Sequence, residues 1–178
     1  MSGGLQLTVS LKELGDDPLG FDIVPTAEEL TALVRQLGVR RLEAMRAGGT
    51  VALLRGGDAL RVEGRLEAQV TQNCVVTLEP VVQSVDERFV LEFGETADVI
   101  DVATGELVVV PDQDQPDPMP AGRLNIGELI AEQLALAIDP YPRKEGADLD
   151  AVLRQHGLAP ADGRENPFAA LAALKTKG

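Results

Sequence analysis

The chain has 178 residues, which suits one domain with appendages or at most two small domains. Hydrophobic residues make up 44% of it but aromatics only 3%, with no Trp, so a core must be built from Leu, Val, Ile and Ala. The formal net charge of −13 repels phosphate backbones and attracts basic partners, and it also keeps a protein in solution.

Leu5, Leu7 and Val9 alternate with Gln6, Thr8 and Ser10, the pattern of a short half-buried strand. Gly15 to Pro25 reads as a loop. Thr26 and Glu29 then form a capping box. Leu30, Leu33, Val34 and Leu37 follow at helical spacing, with Gly38 in the C′ position, so a helix is predicted over 27–37.

From residue 40 the period changes. Leu42, Ala44 and Arg46 suggest a strand that Gly48-Gly49 turns and Val51 to Leu54 returns. Gly56-Gly57-Asp58 makes a further turn. Leu60, Val62, Leu66, Ala68, Val70, Cys74, Val76 and Leu78 share one parity, and charged or polar residues occupy the other. Gly64 is the expected bend or bulge in this long strand. Val85, Phe89, Leu91 and Phe93 share a face in the next strand.

No Lys or Arg occurs from Phe89 through Gly122, and Leu107 to Val110 is a candidate short strand in that stretch. Residues 111–122, with four prolines and three aspartates, read as a flexible acidic loop. Asn125 and Glu128 open a second helix over 126–138. Its buried face is expected to be Ile126, Leu129, Ile130, Leu134, Ala137 and Ile138, widened by Ala131 and Leu136. Pro140 stops it, and Asp139-Pro140-Tyr141-Pro142-Arg143 is stiff because each proline fixes its own φ and extends its predecessor. This segment is expected to clamp Tyr141 over the sheet, with an exposed docking strip as the alternative.

Residues 144–165 are polar and broken by glycine and proline, as in a tether. Asn166 and Pro167 are well placed as N-cap and first helical residue of a short helix over 166–176. Its narrow stripe is Phe168, Leu171 and Leu174. At this length it needs a surface for order, either the protein's own sheet or a partner. The expected organisation is therefore an α+β core over 1–143, the tether, and a C-terminal helical tail. One-sided burial favours a strongly curved antiparallel sheet, or a partly closed barrel, with two packed helices.

Candidate chemistry is sparse. The only histidine, His156, lies in a polar stretch, and Cys74 has the parity of the core-facing set. One cysteine cannot make an internal disulfide, and one Cys with one His cannot make an ordinary zinc site. No acidic calcium loop, phosphate-binding glycine loop or aromatic-interleaved basic cluster is present. No catalytic residue, metal ligand or cofactor is therefore expected. The N-terminus lacks a signal peptide and a myristoylation glycine, and no apolar run nears the ~20 residues of a membrane helix. The expected address is the cytoplasm, with no membrane contact.

Residue strings add more. Asn73 to Val81, followed by the strand ending Phe89-Val90-Leu91-Glu92-Phe93, resembles the signature hairpin of the YceD family, the large ribosomal RNA subunit accumulation proteins. Cys74, Leu78, Glu79 and Pro80 match the family's Cys-x-x-Cys-Leu-Glu-Pro pattern, whereas Thr77 stands at the second Cys. A role that needs two thiolates is thus not available to this chain. The 126–138 helix with its Asp-Pro-Tyr-Pro-Arg exit, and the segment from Asn166 to Leu174, resemble the family in the same order. The resemblance implies a factor needed for normal levels of large-subunit rRNA. The charge suggests action through a basic ribosomal protein, an assembly enzyme or another factor, with Tyr141, Arg143, Asn166, Pro167, Phe168, Leu171 and Leu174 as candidate partner-binding residues. Direct RNA binding through Arg35, Arg40, Arg41 and Arg46 is the alternative.

Overall fold

The computed structural model of the protein describes residues 5, 7–54, 56–94, 116–119 and 122–158. In chain order they form β1 (Thr8–Ser10), β2 (Leu19–Ile23), α1 (Ala27–Leu37), β3 (Arg41–Leu53), β4 (Ala59–Asn73), β5 (Pro80–Gly94), β6 (Asp117–Pro118), β7 (Arg123–Asn125), α2 (Ile126–Ala137) and α3 (Leu149–Gln155). The candidate strand at 107–110 and the C-terminal helix at 166–176 lie outside the described residues. Among the described residues no helix is long and apolar enough to cross a membrane.

The fold is mixed α+β. Strands β2-β3-β4-β5-β6 form one sheet in that order, and β1 pairs with β7 in a separate two-stranded ribbon. Pairing is antiparallel except between β5 and β6, a two-residue parallel contact. Among the described residues the sheet is open, with β2 and β6 at its ends, and does not close into a barrel. One face is buried under the helices. Leu33 of α1, Leu60, Val62, Leu66 and Val70 of β4, and Ile126, Ile130 and Leu134 of α2 are fully enclosed there.

The two larger helices follow from their caps. Thr26 and Glu29 exchange the capping-box bonds, and Gly38 ends α1 at φ 66. Asn125 accepts the Gly127 and Glu128 N–H groups to start α2. Leu136, expected to widen the buried face of α2, is instead exposed.

Several expectations are corrected. Gly15 to Pro25 is not all loop, since β2 forms an edge of the main sheet. Gly48-Gly49 is not a turn, and β3 runs straight through it. The glycines make room: Phe21, Gly49, Gly64 and Phe89 lie opposite one another across four strands. A Cβ on Gly49 would strike the Glu63 carbonyl and come within 2.8 Å of Phe21 Cζ, and one on Gly64 would come within 2.5 Å of Phe89 Cζ. Gly64 itself keeps register on both sides. The bulge lies in β3 between Glu43 and Arg46, where Ala44 takes φ 50. It flips the parity, so Met45 and Ala47 face inward rather than Ala44 and Arg46. Strand β4 ends at Asn73, so Val76 and Leu78 belong to a turn and Leu78 is exposed. The segment read as a polar tether contains α3, whose N-cap Asp148 accepts the Asp150 N–H. Within the acidic stretch at 111–122, Asp117 and Pro118 form β6.

Candidate functional site

The residues of the sequence motif cluster at the β4–β5 turn. Cys74 closes this turn by donating its N–H to the Glu79 carbonyl at 2.7 Å and accepting the Leu78 N–H at 2.9 Å. Leu78 sits at φ 60, a left-handed conformation that costs a non-glycine residue about 1–2 kcal/mol. Its side chain gains nothing in return from the core, because it is exposed. Pro80 opens β5.

Cys74 Sγ is fully buried and collects backbone N–H groups from Val76, Thr77 and Lys144, each at 3.4 Å. The Lys144 N–H, then Thr77 and Val76, hold the thiol down to about 6, against the opposing effect of burial. Thr77 accepts the Glu79 N–H through its hydroxyl, so the residue at the missing thiol position serves the turn itself. Among the described residues no group of three or more His, Cys, Asp or Glu side chains could hold a metal ion.

The chain leaving α2 is stapled to this turn. Val75 donates its N–H to the Pro142 carbonyl at 2.9 Å, and Lys144 Nζ meets Glu79 Oε2 at 3.0 Å. That ammonium holds the Glu79 carboxyl below the ordinary carboxylate range. Pro142 is the buried member of the strap from Asp139 to Lys144, while Tyr141 is 73% exposed. The expected tyrosine clamp is therefore wrong: Pro142 takes the inner position, and the ring faces solvent. Asp139 Oδ1 accepts the Tyr141 N–H at 2.8 Å, fixing the strap at the ring's root. Arg143 is also exposed. Asn166, Pro167, Phe168, Leu171 and Leu174 lie outside the described residues.

Two residues that sequence reasoning passed over complete the site. Gln83 donates Nε2–H to the Ala137 carbonyl and accepts the Asp139 N–H, both at 2.9 Å, which turns the chain out of α2. Gln72 donates to the Asp139 carbonyl at 3.0 Å. Both stand at core-facing parity, Gln72 after Ala68 and Val70, and Gln83 between Val81 and Val85, and that mismatch was the available signal.

The other face of the sheet is a lattice of opposite charges. Arg46 binds Asp22, Arg65 binds Asp86 and Glu67, and Arg61 binds Glu92 and Glu63. The guanidinium groups hold Asp22 and Asp86 below their ordinary range. Of the residues in the alternative basic patch, Arg46 is thus paired, Arg41 is bridged to Glu43, and Arg40 bonds Asn73. An open cavity of about 810 Å³ beside the β3–β4 turn is lined by Lys12 and Arg123 but also by Glu13 and Asp58, and holds none of the motif residues.

Comparison with known proteins found no match among curated proteins or solved structures. The family model of large ribosomal RNA subunit accumulation protein YceD matches residues 62–175, a span that begins in β4 and takes in the Cys74 turn, β5, α2 and the strap. Covering well over half of the chain, this match means that the protein belongs to the YceD family.

Proposed function

We propose that the protein is a non-enzymatic factor of ribosome biogenesis, cytoplasmic, which supports accumulation of large-subunit rRNA by engaging a basic protein partner. Family membership supports the ribosomal part of this proposal. The partner part is carried by charge: a chain of net −13 whose Arg46, Arg61 and Arg65 are committed to carboxylates on the sheet is poorly suited to gripping phosphates. A basic ribosomal protein, an assembly enzyme or another factor offers the complementary surface. Catalysis has little support, because the Cys74 sulfur is enclosed and occupied by backbone donors, and His156 is exposed at the end of α3.

Two measurements test this. Deleting the gene in its host should lower large-subunit rRNA relative to small-subunit rRNA, with recovery on complementation. The purified protein should show no salt-resistant binding to large-subunit rRNA at about 0.15 M salt. Tight RNA binding that is lost when Arg35, Arg40, Arg41 and Arg46 are replaced by alanine would instead establish the direct RNA-binding alternative.

A further inference from the structure

We propose that the end of the molecule where the Cys74–Glu79 turn meets the Asp139–Lys144 strap docks a basic segment of a partner protein, with Val75, Leu78 and Tyr141 as its apolar anchors. This deepens the protein-partner proposal above and rests on it. The backbone brings the three together, since Val75 is hydrogen-bonded to Pro142, and Leu78 to Cys74 in the same turn. Yet their side chains remain in solvent, Leu78 and Tyr141 at 73% exposure and Val75 at 46%.

The surface is preorganised. Tyr141 stands between Pro140 and Pro142, and its N–H is held by Asp139. Little backbone freedom is left to lose on binding, and tyrosine is a residue type that concentrates binding energy. Leu78 occupies a left-handed position suited to glycine, and its exposed side chain gains nothing from this fold. An outside contact would give that strained leucine a use.

Charge selects the occupant. The strap and the residues after it present Asp139, Glu145, Asp148 and Asp150. Lys144 is neutralised by Glu79, which leaves Arg143 in the strap, and Arg40 bonded to Asn73 beside the turn, as the local counterweights. An apolar centre beside a chain segment in which exposed carboxylates outnumber the cations suits a basic polypeptide carrying an apolar residue better than RNA.

Photo-crosslinking of the full-length protein tests the site. Benzoylphenylalanine replaces Tyr141 in one sample and Val90 in another, the latter a 59% exposed residue on the sheet's charged face. The probe is the protein mixture salt-extracted from purified large ribosomal subunits, at about 0.15 M salt. Adducts with one or a few basic proteins, identified by mass spectrometry, are expected from position 141 and not from position 90. Unlabelled wild-type protein should compete them away. Unlabelled Tyr141→Ser and Leu78→Gly should compete at least about tenfold less well, a difference of about 1.4 kcal/mol. Both variants should melt within a few degrees of wild type, since neither side chain is buried and glycine suits φ 60. Undiminished competition by these variants, equal adducts from position 90, or an adduct with a second copy of the chain overturns the docking site while leaving a basic partner in place. Absence of any adduct and of any wild-type binding to the mixture overturns the basic-partner proposal, and the site with it. Adducts with rRNA, when intact subunits replace the extract, overturn it in favour of direct RNA contact.

Discussion

Replacing Gln83 by alanine tests how the strap is set. The side chain forms two 2.9 Å bonds, donating to the Ala137 carbonyl and accepting the Asp139 N–H. Ala137 is the last residue of α2, where helical carbonyls lack intrahelical partners, and the last turn has no basic residue to compensate. A side chain–backbone bond contributes about 0.5–1.5 kcal/mol net, so losing both should cost about 1–3 kcal/mol. For a protein of this size, at about 2–4 °C per kcal/mol, that corresponds to a melting temperature lowered by about 2–12 °C. Thermal denaturation followed by circular dichroism measures it, and amide exchange locates it, because the Asp139 amide should lose protection. A Gln83→Glu variant adds a second reading. Its carboxylate can still accept from Asp139 but cannot donate to Ala137, and it places negative charge at a helix C-terminus. Its deficit relative to wild type should therefore shrink as pH falls from 7 toward 4, where a neutral carboxyl can donate again. A Gln83→Ala protein that melts within about 1 °C of wild type, with Asp139 still protected, would refute the assignment of the α2 exit to this side chain.

Cys74 should make stability depend on pH: its folded value of about 6 lies below the unfolded thiol's, so the stabilisation is fully present above about 8.5 and is lost as pH falls through 6. Urea midpoints of wild type and Cys74→Ala at pH 6 and 8.5 should converge at the lower pH, and a constant gap would refute the thiolate. Gly49→Ala should cost about 2–3 kcal/mol by overpacking, since its Cβ would strike the Glu63 backbone and no rotamer change can relieve that. The cost of Gly64→Ala should be partly recovered by Phe89→Leu, because there the closest atom is a ring tip, and a double-mutant cycle in urea measures the coupling. Tyr141→Ala should leave the melting temperature within about 1–2 °C of wild type, and a larger drop would mean that the ring packs on the fold after all.

The parts of the fold legible in the sequence are those specified by local chemistry. The Thr26–Glu29 capping box, Gly38 and the Asn125 cap are contained within a few residues, and the structure has α1 and α2 where they place them. The inward series Leu60 to Val70 was equally clear, because one-sided burial imposes a period of two. What failed depended on partners distant in sequence. Gly48-Gly49 has the local form of a turn, but Phe21 and the Glu63–Gly64 backbone determine the use of Gly49, and only the strand order brings them against it, as it brings Phe89 over Gly64. The β3 bulge was hidden for a related reason: Ala44 carries no sign of a positive φ, and inward Met45 is compatible with either parity. Strand β2 borrows its hydrogen bonds from β3 and has little alternation of its own, and seven-residue α3 offers too short a stretch for a helical period to stand out.

At the candidate site the same distinction separates position from orientation. The Asn73 to Val81 string places a hairpin where the structure has the β4–β5 turn, although the parity of Cys74 and Leu78 reads as continued strand, and the prolines around Tyr141 mark a stiff exit from α2. The sequence could not decide whether the tyrosine or a proline faced inward, because neither has an alternating neighbour to set the phase. The structure decides through hydrogen bonds: the Pro142 carbonyl must reach the Val75 N–H, and the Lys144 N–H must reach the Cys74 sulfur. With both satisfied, Pro142 lies inside and Tyr141 outside. Burial by proline costs no side-chain hydrogen bond, whereas a buried tyrosine would need a partner for its hydroxyl. The stiffness that sequence reasoning assigned to an internal clamp is thus available for a different purpose, holding an exposed aromatic ring still on an acidic surface.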